Sequence, residues 1–198
     1  MVEMAHPDPS SHFTPEAYLE WEKAQSEKHE YIDGEVFAMA GARDAHVTVA
    51  GNVFALLREH LRGGACRVYV SDMKLRVEPA SAYFYPDVFV TCDPRDRSEE
   101  YFKRYPALIV EVLSETTAAF DRGHKFALYR LLESLREYVV IDPERRSVDC
   151  FRRDGSGHWV LYAYQGDGMV ELDSVGGQFP LSVIFEDVGE GMERPATP

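Results

Sequence analysis

A chain of 198 residues, 45% of them apolar, has the length and composition for one domain with a full hydrophobic core and is short for two. Its apolar stretches, such as Ala107 to Leu113, fall far short of the ~18 residues of a membrane span, and Glu3, His6 and Asp8 stand where a signal peptide would be basic and then apolar, so the cytoplasm is the expected location. A net charge of −13 argues against a general basic surface for nucleic acid, so a phosphate-facing patch has to be local.

Residues 1–12 and 187–198 lack periodicity and predict loose tails around one domain of residues 13–186. Thr14 and Pro15 form an N-cap and first-turn pair, which predicts a helix to about Ala24 with Tyr18, Leu19 and Trp21 on its apolar face. The string from Tyr31 to Phe37 reads as two strands joined by an Asp33-Gly34 turn. Between His46 and Arg62, Ala50, Val53, Phe54, Leu57 and Leu61 recur at helical spacing, and Gly63-Gly64 ends the helix. Strands are then expected over Arg67 to Val77, Tyr83 to Cys92 and Ala107 to Leu113, a second long helix over Asp121 to Leu135, and a strand over Glu137 to Asp142. Val148, Cys150, His158 to Tyr164 and Met169 to Leu172, arranged around Asp154-Gly155 and Gly166-Asp167-Gly168, predict further hairpins. The expected class is α/β with a mixed sheet and helices on its faces.

Cys66, Cys92 and Cys150 are odd in number and widely spaced, and read as buried small hydrophobes rather than a disulfide framework or a zinc site. Arg145, Arg146, Arg152 and Arg153 flank one turn, and Arg58, Arg62 and Arg67 surround a helix end; either group serves equally as a phosphate-facing patch or as ordinary solvated charge. No HExxH string, phosphate loop or nucleophile elbow is present, and His46 and His124 read as isolated structural histidines.

The carboxylates carry the chemistry. Strand alternation puts Tyr83, Tyr85, Asp87 and Phe89 on one face, and Ile109, Glu111 and Leu113 on one face of the next strand. Glu111 is the only charge between Tyr105 and Glu115, so it must be paired, protonated or bound to a cation. Were the two strands neighbours, Asp87 and Glu111 would converge on one point and could hold Mg²⁺ or Mn²⁺ for phosphodiester hydrolysis. The plainer alternative has Asp87 capping a turn and Glu111 paired with an arginine. Glu35, after the Asp-Gly turn, is a possible third carboxylate, with Glu30 behind it.

Tyr85-Pro86-Asp87-Val88, followed by Val110-Glu111-Val112-Leu113-Ser114, resembles the P-D … (D/E)-x-K signature of the PD-(D/E)XK nucleases. More narrowly, Tyr31-Ile32-Asp33-Gly34-Glu35-Val36, Met39-Ala40-Gly41-Ala42 with His46, Val70-Ser71-Asp72-Met73-Lys74, Asp121-Arg122-Gly123-His124-Lys125-Phe126 and Ser134-Leu135-Arg136-Glu137-Tyr138 resemble the Uma-two family of restriction endonuclease-like proteins. Each string is weak alone; their order across residues 13–185 makes the match strong. The resemblance implies a restriction endonuclease-like core, a central mixed sheet with flanking helices and added C-terminal hairpins. It implies a metal-dependent endonuclease acting on DNA, with Asp87, Glu111 and the Val112 backbone carbonyl around the ion.

Leu113 stands where the general signature has its lysine. The family resemblance moves that role to Lys125 on the following helix, one turn from Tyr129 and two from Leu132. Lys74 and Asp72, which share a strand face with Arg76, are the alternative catalytic pair. The competing expectation is a nuclease fold without catalysis, binding nucleic acid or a protein partner, which Leu113 and the acidity favour. A homodimer fits a double-strand cutter, but no interface is legible.

Overall fold

The structure, a computed structural model, describes residues 12–39 and 41–189. The expected tails fall almost entirely outside the described residues, as does Ala40. Val188, at the edge of the expected C-terminal tail, is buried in the core.

Helix α1 (Pro15–Glu22) opens as expected, with Thr14 Oγ1 accepting the Ala17 N–H. Strands β1 (His29–Ile32) and β2 (Glu35–Ala38) form the hairpin, in which Asp33 and Gly34 both adopt positive φ, as a two-residue hairpin turn requires. Helix α2 (Asp44–His60) buries Val49, Val53 and Leu57. Next come β3 (Arg67–Val70), β4 (Lys74–Val77), β5 (Ala82–Phe84), β6 (Val88–Thr91), β7 (Phe102–Lys103) and β8 (Pro106–Val112). Short helices α3 (Ala118–Phe120) and α4 (Phe126–Tyr129) flank a π-helical turn, Asp121–Lys125. The chain continues through β9 (Glu137–Asp142), β10 (Ser147–Arg153), β11 (Trp159–Gln165), β12 (Met169–Leu172), β13 (Gly177–Pro180) and α5 (Leu181–Ile184).

Two of the expected strands are each divided. Val70 and Met73 close a turn, so Arg67 to Val77 becomes β3 and β4. Tyr83 to Cys92 becomes β5 and β6, separated by Tyr85-Pro86-Asp87; Pro86 has no N–H to continue a ladder. At both breaks the chain passes between sheets. One sheet runs β2-β1-β5-β4-β7, the other β11-β10-β9-β8-β6-β3, and β12-β13 form a separate pair. The larger sheet is mixed, as expected: β8 and β9 are parallel, and its other pairs are antiparallel.

The expected long helix over Asp121 to Leu135 is the second correction. It is the crossover between parallel β8 and β9, and it is shorter and wider than expected: helical geometry runs without a gap from Ala118 through a wide π-helical turn to Tyr129 and ends there, short of Leu135. Gly123, a poor helix former, lies inside the wide turn.

Alternation on the central strands organises the core. Val88, Val90, Leu108, Val110, Val112, Val139 and Ile141 face α2 and α5. Phe89, Ile109, Leu113, Tyr138 and Val140 face the crossover, together with Tyr129 and Leu135. Glu111 belongs to this second face by its place between Ile109 and Leu113.

The cysteine expectation is also corrected. Arg67 pairs with Thr91, so the next residues outward, Cys66 and Cys92, face each other across β3 and β6 and are joined as a disulfide. Cys150 is free and buried, as expected. Among the described residues no helix is long and apolar enough to cross a membrane.

A buried carboxylate ties the C-terminal hairpins to the sheet. Glu137, fully buried on β9, accepts from Arg152 Nε at 2.7 Å, Ser174 N at 2.8 Å and Asp173 N at 3.1 Å. Glu137→Ala leaves Arg152 Nε and two backbone donors without their acceptor, although Arg152 keeps Asp173, and is expected to cost about 3 kcal/mol in urea unfolding. A loss within about 0.5 kcal/mol, typical of a surface substitution, would contradict this anchoring.

Candidate active site

Strand pairing brings the two signature carboxylates together. Val88 pairs with Val110 in the β6–β8 ladder, so Asp87, in the break just before β6, comes level with Glu111. Each reaches the other's strand: the Val112 N–H donates to Asp87 Oδ2 at 2.8 Å, and the Asp87 N–H reaches Glu111 Oε2 at 3.4 Å. Asp87 therefore stands at a sheet break rather than within a continuous strand as alternation had implied, and its carboxylate is only partly buried.

Glu111 is 3% exposed, and its second oxygen faces the crossover. Glu111 Oε1 accepts from Tyr129 Oη at 2.9 Å and lies 3.3 Å from Lys125 Nζ. Lys125, itself 7% exposed, also stands 2.8 Å from Glu30 Oε1, an ion contact without hydrogen-bond alignment, and 3.5 Å from Asp121 Oδ1. One ammonium thus serves three carboxylates, drawn from β1, β8 and the π-helical turn. Phe84 and Phe120 wall it in, their ring centres 5.6 and 5.9 Å from Nζ. The wide turn has a direct consequence here, since it holds Asp121 and Lys125 together on the side facing Glu111.

Protonation follows from this burial. Burial pushes the Glu111 carboxyl well above its ordinary range; Lys125 opposes the shift, while Asp87, Asp121 and Glu30 reinforce it. For Lys125 burial acts downward, but Glu111, Glu30 and Asp121 outweigh it and hold the ammonium above its ordinary value. Asp121 is raised by burial, with Lys125 again opposing.

His46, on the first turns of α2, is the residue read from sequence as an isolated structural histidine. Its Nε2 lies 3.2 Å from Asp87 Oδ2, and the Val112 carbonyl also faces the ring. Burial lowers its basicity, but Asp87 and Val112 together reverse that, leaving the imidazole above its ordinary value. Its Nδ1 is buried without a partner.

The other candidates stand elsewhere. Glu35 is exposed at the start of β2, and Glu30 on β1 is the hairpin carboxylate that reaches the cluster. Lys74 projects over the Tyr85 ring, 5.0 Å from its centre, and burial lowers its basicity. Asp72 is exposed and paired with Lys28 at 2.8 Å. The turn arginines are engaged: Arg152 by Glu137 and Asp173, Arg146 by the carbonyls of Phe185 and Val188, and Arg153 by that of Glu133. Among the described residues, no three His, Cys, Asp or Glu side chains form a ready-made metal-ligand group.

Residues 15–183 match the model of the family Uma2, described as "Putative restriction endonuclease". The uncharacterized protein slr1290 of Synechocystis is 41% identical over 185 residues, which cover 92% of this chain and 97% of that one. A second Synechocystis protein, sll1609, is 36% identical over 157 residues, 78% of this chain and 88% of its own. Among solved structures, a crystal structure from Anabaena variabilis described as "a putative nuclease belonging to DUF820" superposes with a TM-score of 0.67 at 16% identity. The alignment covers 87% of this chain and 97% of that one, and the likeness establishes a shared fold.

The lone ammonium makes a sharp prediction. Lys125→Met leaves buried carboxylates uncompensated and is expected to cost about 3–5 kcal/mol of stability at neutral pH. Removing the ammonium lifts Glu111 further, and a carboxyl raised in the folded state contributes stability at low pH that is lost as pH rises through its folded value. The deficit should therefore shrink between about pH 8 and about pH 5 in denaturant titrations. A deficit independent of pH would show that Lys125 is not the counter-charge of Glu111.

Proposed function

The chain belongs to the Uma2 family, and from that premise we propose that it is a metal-dependent endonuclease that hydrolyses DNA phosphodiester bonds at Asp87, Glu111 and Lys125. The observation that carries the reading is the pair of carboxylates cross-braced over the β6–β8 rung, with a buried ammonium behind them. Four carboxylates, Glu30, Asp87, Glu111 and Asp121, share this end of the sheet with that single ammonium, an excess of negative charge suited to a cation.

The donor chemistry fits Mg²⁺ or Mn²⁺, which take hard oxygen ligands and need only one or two protein carboxylates when phosphate completes the shell. Asp87, Glu111 and the Val112 carbonyl would hold the ion. The Val112 N–H and His46 both engage Asp87 Oδ2, which leaves Oδ1 for a ligand. When bound, such an ion neutralises charge on the scissile phosphate and lowers the pKa of a coordinated water.

The protein's own groups prepare that site. The Val112 N–H and the His46 ring fix the Asp87 carboxylate from two sides. Tyr129 and Lys125 hold Glu111 through Oε1 and turn Oε2 toward Asp87. Lys125 retains its proton at Nζ and so favours the ionised form of Glu111 despite burial. To meet a phosphate or a water directly, Lys125 would exchange one of its three carboxylate partners for it.

That last point supports the second reading, a nuclease fold that binds without cutting. All three ammonium hydrogens already have carboxylates within reach, and Leu113 occupies the usual lysine position.

Supercoiled plasmid cleavage separates the two. The wild type is expected to nick DNA with Mg²⁺ or Mn²⁺ and to stop with EDTA, and Asp87→Asn or Glu111→Gln should reduce the rate by about 100-fold or more. No cleavage by wild type with either ion, or cleavage by both variants at the wild-type rate, would remove the catalytic assignment.

A further inference from the structure

An open cleft of about 770 Å³ lies at the far end of the central strands from the carboxylate cluster, where β6 ends and β8 begins. Ala107 lines it, and from Ala107 to Glu111 is about 13 Å along β8. Four guanidinium groups line the cleft with three carboxylates, in a chain whose net charge is −13.

Arg76 and Arg104 converge there. Both pack on the Phe102 ring, 5.9 and 5.0 Å from its centre, and both reach the single carboxylate of Glu78, one on each oxygen, at 3.4 Å. Arg104 also has Glu99, at 3.7 Å. A strong charge-assisted hydrogen bond is about 2.7–2.9 Å long, so both mostly buried guanidinium groups keep bonding capacity to spare. Two lining residues carry a buried polar atom with no hydrogen-bond partner among the described residues, Arg104 Nε and Ser134 Oγ. Buried polar atoms are rarely left so, and each calls for a partner. Arg136 is exposed and makes no ion pair among the described residues, while its backbone bonds to Ala107 and Arg153 hold it beside the cleft. Arg95, by contrast, is taken up by Asp93 at 2.6 and 2.9 Å and by the face of Tyr105.

We propose that this cleft binds a small phosphate monoester, its phosphate on Arg76, Arg104 and Arg136 and its organic body on Pro79, Leu131 and Leu132. Guanidinium forks match pairs of phosphate oxygens, which a point charge does not. The apolar wall selects an ester over a bare ion, since Leu131 stands 46% exposed and an organic body covers it. Glu78, Asp93 and Glu133 surround the arginines and repel a continuing polyanion, so a compact dianion fits better than a nucleic-acid strand. This site is independent of whether the Asp87–Glu111 site cuts DNA.

Calorimetric titration with phenyl phosphate and with inorganic phosphate tests it, in EDTA so that no divalent ion bridges an anion to the carboxylate cluster. Phenyl phosphate is expected to bind about 5-fold more tightly than inorganic phosphate. Arg104→Gln should weaken its binding about 10-fold, and the exposed Arg136→Gln about 3-fold. Glu78→Gln, which removes the competing carboxylate, should strengthen it. Circular dichroism checks that each variant is folded, and the two exposed positions carry the test if Arg104→Gln is not. No binding of phenyl phosphate at about 10 mM, equal affinity for the two anions, or unchanged affinity in both Arg136→Gln and Glu78→Gln would overturn the proposal. So would displacement of phenyl phosphate by a thymidine oligonucleotide at a lower concentration than by inorganic phosphate, since the cleft would then take nucleic acid.

Discussion

The arrangement around Lys125 is the constraint on which the rest of this end of the molecule depends. An ammonium 7% exposed, set between Phe84 and Phe120, requires anionic partners, and Glu30, Glu111 and Asp121 supply them from three separate elements. Meeting that requirement fixes the β1 hairpin against the larger sheet, the crossover against the face of β8, and the wide turn ahead of α4. Burying ions in this way is an expensive route to stability, since apolar side chains of similar volume usually do as well. The proposed cation site would give that cost a purpose, since charge at this end of the sheet is what such chemistry needs.

The hydrogen bonding divides the site into a fixed part and an available part. Glu111 is held by Tyr129 and Lys125 on one oxygen and turned toward Asp87 on the other. Asp87 is pinned through one oxygen by the Val112 N–H and His46. That leaves Asp87 Oδ1, on a partly exposed side chain, as the uncommitted oxygen of the pair. Under the proposed function, a cation and a phosphate would meet there.

How much of this could be read beforehand depended on the range of the interactions. Short-range patterns gave clear signals: the Asp33-Gly34 hairpin, the 3.6-residue period of α2, and the alternation that puts Glu111 on the same face as Ile109 and Leu113. Pro86 signalled a break in the second predicted strand, and the missing N–H was sufficient reason to expect one there. The contributions of Glu30 and His46 were not legible, because each depends on how separate elements dock. Glu30 and Glu35 lie on opposite arms of one hairpin, and only the packing of β1 beside the crossover selects the first. Cys66 and Cys92 were read as unpaired because their spacing is uninformative; the β3–β6 register makes them opposite one another. The helix that periodicity supported is present to Tyr129 but opens with a wide turn, of which Gly123 was the only local sign.

The central claim is that Asp87 and Glu111 form a cation site supported by Lys125. Isothermal titration of Mn²⁺ into the wild type and into Glu111→Gln, which keeps the shape of the side chain and removes its charge, tests it most directly. Binding by the wild type that is lost in Glu111→Gln is the predicted result. The same titration curve for both proteins, whether binding or none, would contradict the claim.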